Sequence, residues 1–423
     1  VMILNTTTVK QQTSKNTQAN PLSAPSLKQP KQMLVAAGLV ASVLLGSVIV
    51  GSEGSVQGVL FILGLLLGFT LFHARFGFTS AFRRLMAVGN GEALQAHMVM
   101  LAVATTLFAL ILSSGFTFTG ATPAGYVSPV GVSLLVGSFI FGIGMQLGNG
   151  CASGTLYSLG GGSSSMWITL PAFIVGSVIA TAHFDFWMND MPSLPAISLA
   201  EHTGLGYIGA WFVQMIVFGL IFLLTLYISK KKNPPKMKNL PTTQGWKRIF
   251  RGSWPLLVAA IVLAVLNAVT LTVRGQPWGI TSAFALWGAK IGGFFGLDVT
   301  QWGYWQQPQN ANALTQSVLA DSTSVMNFGI ILGAFLASSI AGIFALKKIR
   351  KGVAASSLIG GLMMGYGARL AFGCNIGAYF GGIASFSLHG WVWMVMAMLG
   401  TYVALFIRPL FGLSNPKPND SVC

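Results

Sequence analysis

The chain has 423 residues, 53% of them hydrophobic and only 8% charged, with a formal net charge of +16. An ordinary soluble domain is about a quarter charged, so this composition excludes one. The apolar runs are continuous rather than alternating, which argues against a β-barrel. The basic excess gathers at a few connections, which argues against nucleic-acid binding and for a record of membrane topology.

Residues 1–32 are rich in Gln, Asn, Ser, Thr and Lys and read as a disordered cytoplasmic tail. Apolar stretches long enough to cross a bilayer then recur at 33–52, 55–73, 93–113, 128–149, 164–184, 204–229, 253–273, 324–346, 352–373 and 388–410. The first is too long for a signal-peptide core and has no persuasive cleavage site, so it is expected to remain. These stretches predict an all-α polytopic membrane protein with about ten spanning helices. Segment 33–54 is then an extra N-terminal helix, 55–186 a first repeat, and 187–229 an outer loop with a connecting helix. Residues 230–252, with Pro234, Pro235 and Pro241, form a basic cytoplasmic linker. A second repeat fills 253–412, and 413–423 is a polar tail ending in Cys423.

The division into repeats rests on a string written twice. Residues 142–154 read GIGMQLGNGCASG and residues 365–377 read GYGARLAFGCNIG. Both fit G-x-G-x-x-L-x-x-G-C-x-x-G, so Gly150 and Cys151 answer to Gly373 and Cys374. A chain with three cysteines thus places two at equivalent points. Upstream, FGFTSAF (76–82) matches WGITSAF (278–284), pairing Thr79 and Ser80 with Thr281 and Ser282. The second half is longer between its blocks, and the Trp/Gln/Asn-rich stretch 300–316 accounts for the excess.

Tracing the spans from a cytoplasmic N-terminus brings Arg75, Arg83 and Arg84, the linker from Lys230 to Arg251, and Lys347–Lys351 to one side. The C-terminus lands on that side too. Equivalent loops have opposite character, since 114–127 is uncharged whereas its counterpart 347–351 reads KKIRK. The halves are therefore expected to be inverted relative to each other, an arrangement that puts a site near the midplane where broken helices meet. The tracing requires four short re-entrant helices: the two TSAF segments and the segments following each cysteine, near 151–162 and 374–386. Irregular backbone at membrane depth is tolerated where it is buried in protein or lines a wet cavity.

Each cysteine follows a glycine and opens a short helical segment, whose free N–H groups attract anions. Neutral thiols there could donate weak hydrogen bonds to a soft sulfur-bearing solute. Packing alone is the alternative, because membrane helices use Gly and Cys as small contacts; a disulfide would need bonding geometry that symmetry does not guarantee. Arg369 lies deep in a span, five positions before Cys374, with Gln146 as its repeat partner. Such a charge lines a pathway or snorkels and holds helix-end carbonyls. Thr79, Ser80, Thr281 and Ser282 either offer hydroxyls to a path or cap the short helices. Asn149 and Asn375, flanking the cysteines, join the candidate site. Lys290 is expected to reach water, and His183 and Asp185 to lie at an interface. The five histidines show no metal-ligand spacing, no Walker loop is present, and no cofactor is expected. The eight acids leave no evident buried carboxylate for proton coupling. A thiol enzyme forming a persulfide on Cys151 or Cys374 is the rival reading from another class.

The doubled cysteine motif, with R-x-G-F-x-x-A-F across Arg75, Gly77, Phe78 and Phe82, resembles the YeeE/YedE family of sulfur-transport membrane proteins over roughly 55–186 and 253–412. The resemblance implies a bacterial inner-membrane uptake system for thiosulfate or a similar sulfur anion, with Cys151 and Cys374 matching two functional cysteines. It also makes a cytosolic sulfur-carrier protein a candidate partner. Thiosulfate-transporting members carry a further cysteine near the position of Thr79, where this chain has a hydroxyl, and relatives tied to selenium metabolism make another cargo an open alternative.

Overall fold

A computed structural model describes residue 27, residues 29–237, residue 243 and residues 245–422. Most of the expected N-terminal tail, and Cys423, lie outside those residues. In chain order the helices are α1 (Gln32–Glu53), α2 (Ser55–Ala74), α3 (Phe78–Val88), α4 (Glu92–Ser114), α5 (Val132–Leu147), α6 (Ala152–Gly160), α7 (Met166–Ala182), α8 (Gly206–Lys232), α9 (Lys247–Arg251), α10 (Leu256–Arg274), α11 (Thr281–Phe294), α12 (Gly303–Gln306), α13 (Pro308–Thr315), α14 (Ser322–Ile340), α15 (Lys351–Leu370), α16 (Gly382–Ala384) and α17 (Leu388–Ile407). A wide helical turn, Asn375–Gly381, runs directly into α16. One minimal antiparallel pair joins Val130–Gly131 to Ser193–Leu194.

Eight helical stretches among the described residues are long and apolar enough to cross a membrane. Helix α7 is apolar but 17 residues long. Helix α15 has the length of a span, yet its glycines and serines dilute its hydropathy. The protein is therefore all-helical and polytopic. The stretch expected at 324–346 ends earlier, because α14 stops at Ile340 and Gly342 turns the chain at φ +72°. Apolarity continues through Phe344–Leu346, but a left-handed glycine ends a helix whatever follows it.

Helix α7 packs on α15, α5 on α17, α5 on α15, α2 on α14, α4 on α10, and α2 on α10. Lipid tails are as apolar as leucine, so helices in a bilayer are held by close approach rather than by hydrophobic transfer. Small residues meet at these crossings. A side chain at Gly365 would strike the Phe173 carbonyl, and one at Gly176 the Leu362 carbonyl, so α7 and α15 touch backbone to backbone. Gly68 and Gly333 play the same reciprocal part between α2 and α14. Replacing Gly365 with Val is expected to force α7 and α15 apart and lower the unfolding midpoint in detergent by several degrees, since overpacking costs about 1–3 kcal/mol. An unchanged thermal scan would show that this crossing yields freely.

Helices α1 and α8 sit at the periphery. Val43 is 66% exposed and Ile208 76%, as expected of faces turned to lipid. The interior holds Phe76, Phe78, Phe82, Phe141, Phe173, Phe284, Tyr379 and Trp393, all fully buried. Arg75, Lys347, Lys348 and Arg350 line one concavity of about 520 Å³ with Ser163, Ser164 and Ser165, so basic residues far apart in sequence share one end of the bundle.

Candidate functional site

Both cysteines stand where a long helix breaks. Helix α5 ends at Leu147, the chain turns through Asn149 at φ +59°, and Cys151 adopts extended backbone at the head of α6. The Cys151 carbonyl accepts bonds from the Thr155 amide (2.8 Å) and hydroxyl (2.9 Å), and its Sγ lies 3.3 Å from Ser153 Oγ. Helix α15 ends at Leu370, turns through Phe372 at φ +57° and Gly373 at φ +145°, and delivers Cys374 in extended backbone. Only glycine adopts the Gly373 conformation without strain. The Cys374 Sγ accepts from the Ile376 amide at 3.4 Å. There the helix widens, with the Tyr379 amide reaching back to the Cys374 carbonyl; such wide turns recur at functional positions. Both thiols are free and enclosed, at 2% and 0% exposure, and share one apolar cluster. Helix α6 touches the turn after Cys374, so the two cysteine-headed segments meet.

The two TSAF blocks begin α3 and α11. Neither helix has a side-chain cap at its start, so these hydroxyls do not serve as N-caps. Ser80 Oγ donates to the Gly77 carbonyl at 3.0 Å. Thr79 is buried, its Oγ1 has no partner within bonding distance, and Cys151 is a polar neighbour. Its carbonyl accepts from Gln146 Nε2 at 3.0 Å, while Gln146 Oε1 accepts from Arg83 Nη1 at 3.0 Å. In the second block, Thr281 Oγ1 accepts from Arg369 Nη2 at 2.7 Å. Ser282 is exposed on a cavity wall.

That cavity, about 370 Å³, is lined by Arg274, Arg369, Tyr126, Tyr304, Thr281 and Ser282, and it reaches Gly373 and Gly377 on either side of Cys374. Arg369 therefore lines a cavity rather than holding helix-end carbonyls. Its Nη1 donates to Tyr304 Oη at 2.8 Å, its charge lies 5.7 Å from the Tyr304 ring centre, and its Nε is buried without a partner. Arg274 Nη1 is likewise buried and unpartnered. The carboxylate on this wall, Asp321, is engaged by the Ser324 amide (2.8 Å) and hydroxyl (2.6 Å), capping α14. Two guanidinium groups beside one committed carboxylate leave this wall with an excess of positive charge, the chemistry that pairs with an anion.

Deeper in, Asn375 is fully buried with both amide atoms unpartnered, as are the Tyr379 hydroxyl and Trp393 Nε1. The Tyr379 and Trp393 rings stack at 6.3 Å. A buried unsatisfied group costs about 1–3 kcal/mol, so these atoms are expected to meet a polar partner, whether a solute or ordered water. Asn149 is placed differently: it is exposed at the basic end, where its Oδ1 accepts from Arg408 Nη1 at 3.3 Å. Of the residues singled out from the sequence, Arg369, Thr281, Ser282 and Gly373 line the cavity, and Cys374 and Cys151 share the buried cluster.

Lys290 stands near the surface, as expected, and its Nζ also donates to the carbonyls of Leu314 (2.8 Å) and Gln316 (2.6 Å), pinning the inserted helices. Tyr126, Tyr304, Tyr379 and Arg274 were not singled out from the sequence, and Arg83 entered it only as a marker of topology. Arg83 sits in a basic cluster that topology explains by itself, and nothing local marks Tyr304 as the partner of a residue 65 positions away. Among the described residues no group of three or more His, Cys, Asp or Glu side chains could hold a metal.

A family model described as sulphur transport matches residues 73–403. The chain is 28% identical over 363 residues to thiosulfate transporter TsuA of Escherichia coli (strain K12), covering 82% of this chain and 94% of that protein. It is 26% identical, over 82% of its own length and 97% of the relative's, to thiosulfate transporter TsuA of Spirochaeta thermophila. A shorter match, 32% over 150 residues, relates 35% of the chain to 36% of the probable transporter YedE of Escherichia coli (strain K12). Taken with the apolar helices, these likenesses identify the chain as a member of the sulphur transport family: a multi-pass transporter of the bacterial inner membrane, and not an enzyme.

Proposed function

We propose that this protein takes up a small sulfur-containing anion, with thiosulfate the leading substrate, along a central path between two inverted repeats. The reading is carried by one observation: an arginine-lined cavity leads to the glycines flanking an enclosed thiol, beyond which buried donors stand unpartnered. In this reading both termini are cytoplasmic and the Arg369 cavity faces outward. Arg369 and Arg274 raise the local anion concentration. The anion then passes Cys374 and Cys151 in turn, with the amide of Asn375 and the hydroxyls of Tyr379 and Thr79 replacing water around it.

The inverted relation draws support from the packing. Under the exchange of α2 with α10, α3 with α11, α4 with α14, α5 with α15 and α7 with α17, the pair α7–α15 becomes α17–α5. Likewise α2–α14 becomes α10–α4, and α3–α17 becomes α11–α7; all six contacts occur. The basic concavity between α2, α6–α7 and α14–α15 supports a cytoplasmic assignment for that end.

Growth of a host lacking sulfur uptake, supplied with one sulfur source at a time, tests the proposal. Rescue on thiosulfate supports it, and rescue only on another sulfur or selenium species reassigns the cargo. Thr79, near where the family resemblance implies a further cysteine, is what makes that second outcome specific. Thr79→Val keeps the shape and removes the hydroxyl. It is expected to lower uptake roughly tenfold, the worth of one hydrogen bond of about 1–1.5 kcal/mol, and full activity would remove Thr79 from the path.

A further inference from the structure

The turn leading into each cysteine contains a non-glycine residue in the left-handed region two positions before the sulfur: Asn149 at φ +59° before Cys151, and Phe372 at φ +57° before Cys374. For phenylalanine this backbone costs about 1–3 kcal/mol, and asparagine tolerates it better, so each turn must be held by its surroundings. Both are held from outside the repeated motif, by quite different means.

The first turn is gripped by Arg408, which starts the tight turn ending α17 and is 4% exposed. Its guanidinium donates Nη1 to the Gln146 carbonyl and, at 3.3 Å, to Asn149 Oδ1. Its Nε reaches Asn415 Oδ1 at 2.8 Å and its Nη2 the Ser414 carbonyl at 3.0 Å. Asn415 in turn donates to the Leu405 carbonyl at 2.6 Å, so the acceptor is itself anchored. Every bonded acceptor of Arg408 is neutral, and the geometry uses the fork of the guanidinium to bridge two segments rather than to neutralise a charge. The second turn is gripped by Tyr126, whose hydroxyl donates to the Phe372 carbonyl; its ring also packs 5.7 Å from that of His389.

We infer that Arg408 and Tyr126 are positioning residues, each fixing one cysteine by holding the strained turn that precedes it, Arg408 for Cys151 and Tyr126 for Cys374. Neither has to touch the transported anion to act. Their effect reaches it through the placement of a sulfur, where a displacement of about 1 Å is enough to matter.

The test reads each sulfur separately. In chains retaining one cysteine, with the others replaced by serine, the rate of maleimide alkylation in membranes is measured for Arg408→Lys and Tyr126→Phe. Lysine keeps the charge but cannot bridge four acceptors, and phenylalanine keeps the ring. Arg408→Lys is expected to speed alkylation of Cys151 on the order of tenfold and leave Cys374 unchanged, and Tyr126→Phe to do the reverse. In the chain with all its cysteines, both variants are expected to lower maximal uptake more than apparent affinity. Unchanged rates at both sulfurs, or both sulfurs loosening together in either variant, would overturn the inference. Should Arg408→Lys fail to insert, Asn415→Ala removes the Nε acceptor and carries that arm. The uptake arm rests on the transport reading above. The alkylation arm does not, so absence of thiosulfate uptake by the unaltered protein would count against the cargo and leave the positioning roles to be judged on their own.

Discussion

Cys374→Ala is expected to abolish uptake, by two orders of magnitude or more, while leaving the amount of inserted protein unchanged. The side chain is fully buried, yet what it contributes to packing is one sulfur atom, worth about 1 kcal/mol by comparison with other small core truncations. Its place in the proposed path is costlier to lose. Cys374 sits where the cavity ends, between Gly373 and Gly377, and its neighbours Asn375 and Tyr379 already lack partners. Removing the thiol takes away the first soft contact available to the anion after it leaves water. Uptake of radiolabelled thiosulfate into cells or vesicles, normalised to protein by immunoblot, checks this. Normal uptake by Cys374→Ala and by Cys151→Ala would refute a route along the thiols.

Arg369→Gln is expected to raise the apparent KM by about 10–100-fold with a smaller fall in maximal rate. The guanidinium holds Thr281 Oγ1 and Tyr304 Oη on one side and keeps an unpartnered Nε. A charge-assisted hydrogen bond to an anion is worth about 1.5–3 kcal/mol, which converts to that change in affinity. Glutamine retains a donor but neither the charge nor the fork. Arg369→Lys is expected to fall between the two, since lysine keeps the charge and loses the simultaneous hold on Thr281 and Tyr304. Concentration-dependent uptake separates these outcomes: an unaltered KM in Arg369→Gln would make the residue a strut for Tyr304 and no more. The effect should shrink as ionic strength rises if long-range attraction contributes.

The all-helical, polytopic class of fold could be read from the chain because it is written locally. Apolar runs about 20 residues long need no partner to be recognised, and the doubled glycine–cysteine string marks its own importance. Helix ends were less legible. The apolar residues after Ile340 look like more span, whereas Gly342 turns the chain there. The polar wall was least legible. Residues 300–316 read as surplus length, yet they supply Tyr304 to Arg369, and Trp305 donates its indole N–H to Thr181 at 3.2 Å. Side chains that meet across 65 or 124 positions leave no periodic trace. The hydroxyls of the TSAF blocks were legible as a choice between path and cap, and the bare starts of α3 and α11 resolve the capping half of it.

Complete enclosure of both thiols bears on how the protein ages. A thiol reacts with peroxide only where the oxidant can reach it, and close packing denies that access. With Cys151 at 2% and Cys374 at 0% exposure, both sulfurs are shielded from oxidants in this conformation. If transport along the proposed path opens the site, inactivation by oxidants is expected to accumulate with the number of transport cycles completed rather than with hours elapsed, and an idle population to outlast a busy one in the same medium.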